Sequence, residues 1–291
     1  MRLDTADLRP LRHPRLLGDL RSWTDVDLPG LGRSAEVYVW LPPGHDRGET
    51  RYPVLYLHDG DNAFLPERAF GGVCWEVDRA MTRLAEDGVP AIVVALPCHP
   101  GLRHEEYSQH PRPGVAPGRA RDYARLLVEE LKPAVDAALP TLPGPEHTVT
   151  AGSSLGGVVS AYLWEQHQDV FGGVGLFSPA FWWPGDDRIV QDLAAGLAAG
   201  RLRGRVHLDV GGHEQHDDPV IERLYVEHAE ALRGHLVRSG VPVRYVYDSQ
   251  AYHFENAWAR RFPAAAEWLL HGYAVPPPPF VLADLAAREQ G

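Results

Sequence analysis

The sequence predicts an α/β fold in which a mostly parallel central sheet carries helices on both faces. From about residue 35, short β-branched or apolar runs alternate with longer amphipathic segments across roughly 200 residues. This alternation is typical of parallel strands joined by crossover helices. The sequence contains no internal repeat and no linker long enough to separate two domains. We therefore expect one folded domain at 35–275, preceded by an N-terminal extension at 1–34 and followed by a C-terminal tail at 276–291.

The individual elements follow from their residue patterns. Residues 35–41 (AEVYVWL) alternate with the period of a strand, and the Pro-Pro-Gly that follows ends it. The run 91–96 (AIVVAL) indicates a buried strand, and the proline-rich stretch 97–118 indicates an ordered surface loop. The clearest helix pattern is 119–138, which Pro133 is expected to kink or shorten. The other predicted strands are 54–57, 147–151, 174–177, 205–210 and 243–247, and the other predicted helices are 73–86, 156–167, 188–198, 220–238 and 257–270.

The composition limits the classes of partner. The chain has 28 Lys and Arg against 39 Asp and Glu, which gives a formal net charge of −11. An acidic balance of this size argues against nucleic acid or an anionic membrane as a partner. No run approaches the roughly 18 apolar residues of a spanning helix, and the N-terminus lacks the apolar region of a signal peptide. We therefore expect a cytoplasmic protein with reduced thiols at Cys74 and Cys98, while the oligomeric state is left open.

The strongest chemical motif lies in the segment 147–157 (HTVTAGSSLGG). An apolar strand leads into Gly-Ser-Ser-Leu-Gly at 152–156, and a helical pattern begins directly after it. This G-x-S-x-G pattern in a strand–turn–helix context is typical of the nucleophile elbow of α/β-hydrolases. The glycines leave room for a sharp turn, and the helix N-terminus directs amide groups at a developing oxyanion. We therefore predict Ser154 as the nucleophile and the Leu155 amide as an oxyanion donor, with a simple serine helix cap as the alternative.

The base and the acid are expected in a fixed order after the serine, because hydrolases of this fold arrange the triad as Ser, then Asp or Glu, then His. His253 follows the last predicted strand and is the expected general base. Three carboxylates follow the strand before it. Glu214 is nearest the strand end and is our first choice for the acid, with Asp217 as the second. Asp218 precedes Pro219 and is expected to cap the next helix.

The same loop contains His-Glu-Gln-His at 213–216, which invites comparison with metal sites. The two histidines are three positions apart in a loop, unlike those of the helical H-E-x-x-H motif. A structural zinc ion also requires a closed set of four ligands, which the neighbouring residues do not complete. The sequence therefore predicts neither a metal site nor a cofactor.

Several further motifs resemble those of one family. They are YPVLYLHDGDNAF at 52–64, WEVD at 75–78, VWLPPG at 39–44 and SPAFWW at 178–183. These segments strongly resemble the putative-esterase family, the group of enterochelin esterases, human S-formylglutathione hydrolase and feruloyl esterases. The resemblance covers residues 37–270, and the motifs are most similar to the enterochelin-esterase branch.

The resemblance implies a cofactor-free serine hydrolase of the α/β-hydrolase fold. It also implies that the backbone N–H of Asp61, in the His-Asp-Gly loop, is the second oxyanion donor beside Leu155. The family acid falls in a Gly-x-x-Glu or Gly-x-x-Asp turn, and residues 211–214 fit that turn with Glu214. Asp61 stands where the family usually has glutamine, and its carboxylate would weaken oxyanion stabilisation unless it points away.

Aromatic and charged residues near these motifs are candidates for substrate contact. Aromatic side chains are expected to line an acyl or aromatic pocket, although core packing is the alternative for each of them. Arg103 is also expected to pair with Glu106 and hold the 97–118 loop over the site, with a solvated surface pair as the alternative. The residues predicted to contact substrate are Phe64, Trp182, Trp183, Trp258 and Arg103.

Together these features predict a serine carboxylic-ester hydrolase that acts through an acyl-enzyme on a small or aromatic ester. An acyltransferase of the same fold and a non-catalytic binding module are the alternatives. Siderophore esters, aryl or feruloyl esters, acetylated sugars and thioesters all fit, because specificity depends on loops. The predicted partner is therefore a small-molecule ester, with no nucleic acid and no membrane.

Overall fold

Nine strands form a single sheet within the residues that the computed structural model describes, which are 1–46, 50–112, 114–115, 118–215 and 217–271. In chain order the strands are β1 (Arg9–Pro10), β2 (Asp19–Leu28), β3 (Arg33–Leu41), β4 (Val54–His58), β5 (Ile92–Leu96), β6 (Thr148–Ser153), β7 (Gly173–Phe177), β8 (Arg205–His213) and β9 (Val243–Tyr252). Their order across the sheet is β1-β2-β3-β5-β4-β6-β7-β8-β9.

Most of the sheet is parallel. Neighbouring strands from β5 across to β9 are parallel, whereas β1, β2 and β3 extend the β5 edge in antiparallel fashion. The chain adds β5 on one side of β4 and then β6 on the other side, so the strand order reverses at β4 and β6. In such sheets, ligands bind in the crevice at the carboxyl ends of the strands where the order reverses. The ends of β4 and β6 are therefore the expected place for a site.

Helices cover both faces of the sheet, as predicted. On one face, α1 (Val77–Glu86) packs against α8 (Glu255–Leu270). The short helix α2 (Arg103–Glu106) lies within the predicted 97–118 loop. The helices of the other face are α3 (Ala120–Arg125), α4 (Lys132–Ala138), α5 (Leu155–Gln166), α6 (Arg188–Ala198) and α7 (Pro219–Arg238).

Side chains of β3 alternate between two apolar cores. Val37, Val39 and Leu41 belong to the core under α3 to α7, whereas Tyr38 and Trp40 belong to the core under α1 and α8. The two-residue period predicted for 35–41 is therefore confirmed, and both faces of the strand are buried.

The predicted strands and helices are present with small shifts in their ends, and two differences have clear causes. The helix predicted from residue 73 begins at Val77, because Val73 is extended and Glu76 has positive φ. The helix predicted at 119–138 contains a π-helical turn at Leu126–Leu131, directly before Pro133. Proline has no amide hydrogen to donate, and a wider turn lets the helix continue past it.

The sheet begins earlier than the predicted domain start at residue 35. Strands β1 and β2 lie in the predicted extension 1–34, and β2 pairs with β3 from Asp19 to Leu28. Trp23 and Leu28 of β2 are buried in the core. A bulge between Trp23 and Val26, where Asp25 has positive φ, breaks the two-residue alternation of β2, which is why the sequence does not predict this strand. The predicted tail at 276–291 lies outside the described residues.

Asp218 caps α7, as predicted. Its Oδ1 accepts hydrogen bonds from the amides of Val220 and Ile221 at 3.0 and 3.1 Å. Pro219 then takes the first helical position, where its missing N–H costs no hydrogen bond.

Within the described ranges, no helix is both long and apolar enough to cross a membrane. Cys74 is buried, Cys98 is half-buried, and each is a free thiol.

Candidate active site

Ser154 lies in the turn between β6 and α5, at the carboxyl end of a strand where the sheet order reverses. Its backbone has φ 57° and ψ −121°, a combination that residues with a side chain rarely adopt. The Ser154 amide donates to the carbonyl of Phe177 on β7 at 3.0 Å, and its carbonyl accepts from the amide of Ala180 at 3.1 Å. The neighbouring strand and the loop after it therefore hold the strained turn in place.

The two glycines of the motif are needed for close approach between elements. A Cβ at Gly152 would lie 2.7 Å from the backbone of Gly156, and a Cβ at Gly156 would lie 2.9 Å from the Asp59 carboxylate. Both distances are too short for real carbon contacts. The strand, the helix and the His-Asp-Gly loop can meet at Ser154 because neither position carries a side chain.

Strand register brings the predicted base and acid together. His213 at the end of β8 is aligned with Tyr252 at the end of β9, and their rings are stacked with centroids 5.0 Å apart. The next residue of each strand therefore leaves the sheet beside the other. These residues are Glu214 and His253, and Nδ1 of His253 lies 2.6 Å from Oε2 of Glu214.

The environment of Glu214 keeps its carboxyl group ionised. The side chain is 1% exposed. Burial acts to raise the pKa of Glu214, but the hydrogen bond and charge of His253, with smaller contributions from Ser178 and Arg261, hold the pKa below its ordinary value. A carboxylate at this position favours the imidazole tautomer with its proton on Nδ1, which leaves Nε2 able to accept one.

The described residues of the acidic loop after Glu214 are exposed. Asp217, the second choice for the acid, lies on the surface of the loop. His216 of the His-Glu-Gln-His motif lies outside the described residues. Across the part of the chain that is described, no three His, Cys, Asp or Glu side chains are grouped so that they could hold a metal ion.

Two backbone amides near Ser154 lack an acceptor within their own helices. Leu155 is the first residue of α5, and Asp61 lies in the 3-10 turn Gly60–Asn62 that follows β4. The first amides of a helix have no intrahelical partner. The Asp61 side chain accepts a hydrogen bond from the Tyr38 hydroxyl at 2.8 Å, and Arg68 donates to the same hydroxyl at 2.5 Å. The carboxylate is thus held towards Tyr38.

Ser154 and His253 line one cleft of about 500 Å³. Trp258 also lines it, with its ring edge-on to His253 at a centroid distance of 4.9 Å. Charged and apolar groups are mixed in the walls, which suits a ligand that has both kinds of surface. Other residues of the walls include Asp59, Asp61, Asn62, Arg68, Phe70, Cys98, Arg103, Phe254 and Glu255.

Comparison with protein families gives a match over most of the chain. Residues 29–269 match the family model described as "Putative esterase". The chain belongs to this family. The protein is accordingly an enzyme that hydrolyses esters.

Solved structures resemble this esterase over most of its length. The BES protein from Bacillus cereus has a TM-score of 0.71 and 18% identity, with 94% of this chain and 100% of that chain covered. An IroE-like serine hydrolase from Shewanella oneidensis has a TM-score of 0.70 and 16% identity, with coverage of 88% and 81%. The ferric enterobactin esterase from Salmonella typhimurium has a TM-score of 0.65 and 20% identity, with coverage of 90% and 60%. These likenesses concern the fold, and the predicted α/β-hydrolase fold is confirmed.

A buried network supports Glu214 in this esterase. Ser178, which begins the SPAFWW motif, has a left-handed backbone with φ 41°. Its Oγ accepts hydrogen bonds from Nε1 of Trp258 and Nη2 of Arg261, both at 3.1 Å. Because Trp258 and Arg261 both donate to this oxygen, the hydroxyl of Ser178 can direct its own hydrogen to Glu214, with which Ser178 interacts. Arg261 also lies 3.3 Å from Asp209 at the centre of β8.

Ser178→Ala is expected to lower kcat about 10- to 100-fold and to leave KM nearly unchanged, because Glu214 loses a donor that positions it. Stability should fall by about 1–3 kcal/mol, since buried donors of Trp258 and Arg261 lose their acceptor. Steady-state kinetics and urea unfolding measure the two effects. Ser160→Ala is the control, because its hydroxyl bonds only to the carbonyl of Gly156 in α5. Equal kcat values for both variants would contradict a positioning role for Ser178.

Arg103 and Glu106 do not pair with each other, so the predicted ion pair is wrong. Arg103 donates to both oxygens of Asp59 at 2.7 and 2.8 Å. Glu106 is fully buried and accepts two hydrogen bonds from Arg33, each at 2.7 Å. The partners come from β3 and from the loop after β4, which the local pattern of the 97–118 loop does not reveal.

The residues predicted to contact substrate lie in three different places. Trp258 lines the cleft, as does Arg103. Phe64 instead packs in the core with its ring edge-on to Tyr38. Trp182 and Trp183 flank the guanidinium of Arg112, and neither is among the described residues that line the cleft. Their contact with substrate stays a prediction.

Tyr225 of α7 is a site residue that sequence reasoning missed. Its hydroxyl lies 3.5 Å from Nε2 of His253 and also interacts with Ser154. Burial raises the pKa of Tyr225, so the hydroxyl keeps its proton at neutral pH. The residue occupies an ordinary apolar position of an amphipathic helix, and no local signal distinguishes it from a core tyrosine.

Proposed function

We propose that this esterase is a serine carboxylic-ester hydrolase that acts through an acyl-enzyme on a small or aromatic ester. The observation that carries the proposal is the shared cleft. A serine in a strained elbow and a histidine backed by a buried carboxylate line the same space. In the proposed reaction, Ser154 is the nucleophile, His253 is the general base, and Glu214 is the acid that orients His253.

In the first half of the proposed reaction, Oγ of Ser154 attacks the ester carbonyl carbon while its proton passes to Nε2 of His253. The carbonyl oxygen becomes an oxyanion that accepts hydrogen bonds from the amides of Leu155 and Asp61. Collapse of this intermediate breaks the bond to the alcohol oxygen. The alcohol takes the proton from Nε2 and leaves, and the acyl group stays on Ser154.

In the second half, water attacks the acyl carbonyl and gives a proton to Nε2 of His253. The new intermediate collapses, the carboxylic acid departs, and the proton returns to Oγ of Ser154. The hydrogen bond from Tyr38 to the Asp61 carboxylate supports this scheme. It holds the negative charge towards Tyr38, while the Asp61 amide serves as a donor.

The walls of the cleft support a small or aromatic ester as substrate. Phe70, Phe254 and Trp258 offer aromatic surface near Ser154, and the volume of about 500 Å³ suits a small molecule. The similar structures include one named a ferulic acid esterase and one named a ferric enterobactin esterase. The expected cytoplasmic location and the absence of nucleic-acid partners stay predictions.

The proposal is tested by labelling and turnover together. Wild-type enzyme is incubated with a fluorophosphonate, and the modified residue is identified by mass spectrometry. Hydrolysis of p-nitrophenyl acetate and butyrate is measured before and after labelling. We expect stoichiometric label on Ser154 and complete loss of turnover.

Ser153→Ala is the control for this experiment, because it removes the adjacent serine and should leave the label on Ser154. Label on another residue, or turnover that survives full labelling, would contradict the mechanism. Added alcohol separates the remaining alternatives. Faster release of p-nitrophenol with formation of a new ester would favour the acyltransferase, and folded protein with neither label nor turnover would favour a binding module.

A further inference from the structure

A buried carboxyl group outside the proposed triad lines the cleft. Glu255 is the first residue of α8, two positions after His253, and it is 4% exposed. Its Oε1 accepts a hydrogen bond from Nδ2 of Asn62 at 3.2 Å. The Asn62 amide is itself held, because its Oδ1 accepts from the backbone N–H of Phe70 at 2.9 Å. Glu255 therefore has a fixed position beside Ser154 and His253.

The cations of the cleft are paired with other carboxylates. Arg103 donates to both oxygens of Asp59, and Arg68 pairs with Glu36 at 2.5 Å. In the described part of the chain, no Lys or Arg lies within ion-pair distance of Glu255. A buried carboxylate whose hydrogen-bond donors are all neutral is poorly compensated, because burial of a charge is costly unless it is paired. Among the described residues, Glu255 thus has no cationic partner of its own, and a ligand could supply one.

We propose that Glu255 is a specificity-determining residue that recognises a cationic ammonium group of the ester substrate. This inference rests on the proposed esterase function and names its substrate class. The Asn62 bond fixes one carboxylate oxygen, and a substrate ammonium in the cleft would pair with the group. An ester with a carboxylate at that place would meet like charge and bind poorly.

The charge state of Glu255 makes this preference depend on pH. Burial raises the pKa of Glu255 to about 7; its own backbone amide and Arg103 act to lower it, and Asp59 acts to raise it. The carboxyl group is therefore neutral on the acid side of this pKa and charged on the basic side, so selectivity for a cation should grow as pH rises. The titratable and charged groups that line the cleft around Glu255 are Asp59, Asp61, Arg68, Cys98, Arg103 and His253.

The test uses esters that differ in charge and match in shape. One series consists of p-nitrophenyl esters of trimethylammoniobutyric acid, of its neutral tert-butyl isostere and of glutaric acid as the half ester. A second series carries the charge on the leaving group, as butyrylthiocholine and its neutral tert-butyl isostere. The quaternary ammonium keeps its charge at every pH, so any pH dependence of the cation-to-neutral ratio of kcat/KM comes from the enzyme.

In at least one series, we expect wild-type kcat/KM at about pH 8.5 to favour the cation over the neutral isostere about tenfold. The ratio should fall towards one at about pH 5.5, where Glu255 is protonated. Glu255→Gln should give a ratio near one at both pH values, and at about pH 8.5 the half ester of glutaric acid should react faster with this variant than with wild type. Glu267→Gln is the control, since it removes an exposed carboxylate of the same helix and should keep the wild-type ratio.

A ratio near one at high pH in both series, or a ratio that survives Glu255→Gln, would overturn the inference. The wild-type pH series decides the matter even if Glu255→Gln fails to fold. Failure of the proposed esterase function can be distinguished from failure of this inference. In that case the neutral esters would not be turned over, whether Glu255 is charged, protonated or replaced.

Discussion

Ser154→Ala is expected to lower kcat for p-nitrophenyl butyrate by about 10⁴- to 10⁶-fold, because it removes the hydroxyl on which the proposed acyl-enzyme forms. The oxyanion amides and the cleft are retained, so KM should change little and a small residual rate should persist. Steady-state kinetics with high enzyme concentration measure the loss. The fluorophosphonate label should also disappear from the variant.

The structure supplies a matched control for this substitution. Ser153→Ala removes a hydroxyl one residue earlier in β6 and leaves the Ser154 turn in place. Circular dichroism should show that both variants are folded. A comparable loss of kcat in Ser153→Ala, or a Ser154→Ala enzyme with more than a few per cent of wild-type kcat, would contradict the nucleophile assignment.

Glu214→Gln is expected to lower kcat about 10³- to 10⁴-fold while the variant stays folded. The glutamine amide can donate to Nδ1 of His253 and thereby place the imidazole proton on Nε2. Ser154 then has no base to accept its proton. Asp217→Asn is the matched control in the same loop, and its kcat should stay within about twofold of wild type. The reverse result would assign the acid to Asp217.

The stability difference between wild type and Glu214→Gln should depend on pH in a defined direction. The pKa of Glu214 lies below its ordinary value of 4.5, so the folded state favours the charged carboxylate. Its contribution to stability is therefore fully present above about pH 4.5 and is lost as pH falls through the folded pKa. Urea unfolding of both proteins at neutral and acidic pH measures the change. A difference that grows on acidification would contradict this direction.

Much of the fold could be predicted because its signals are local. The two-residue period of 35–41 and the apolar run 91–96 give strands without knowledge of their partners. The strand β2 was not predictable in this way, because the bulge between Trp23 and Val26 breaks the alternation of its buried positions. The extended backbone of Val73 and the left-handed backbone of Glu76 likewise delay the start of α1, although its sequence pattern begins earlier.

In the candidate site, too, some residues could be predicted from local patterns and others could not. Ser154 is marked by glycines two positions away on either side, and His253 by its place after the last strand. The choice between Glu214 and Asp217 was left open by the sequence, since both follow β8 in one loop. The alignment of His213 with Tyr252 decides which carboxylate lies against His253. Register is a property of paired strands, and neither strand specifies it alone.

By itself, the sequence determined the α/β architecture and the strand–turn–helix segment around Ser154, and it predicted the order in which the proposed nucleophile, acid and base follow one another. These depend on residue spacing along one chain segment. Only the tertiary structure decided that Arg103 pairs with Asp59, that Tyr38 holds the Asp61 carboxylate and that Glu255 is buried in the cleft. Each of these facts is a contact between elements distant in sequence. Their electrostatics depend on burial and on partners, which a local pattern does not contain.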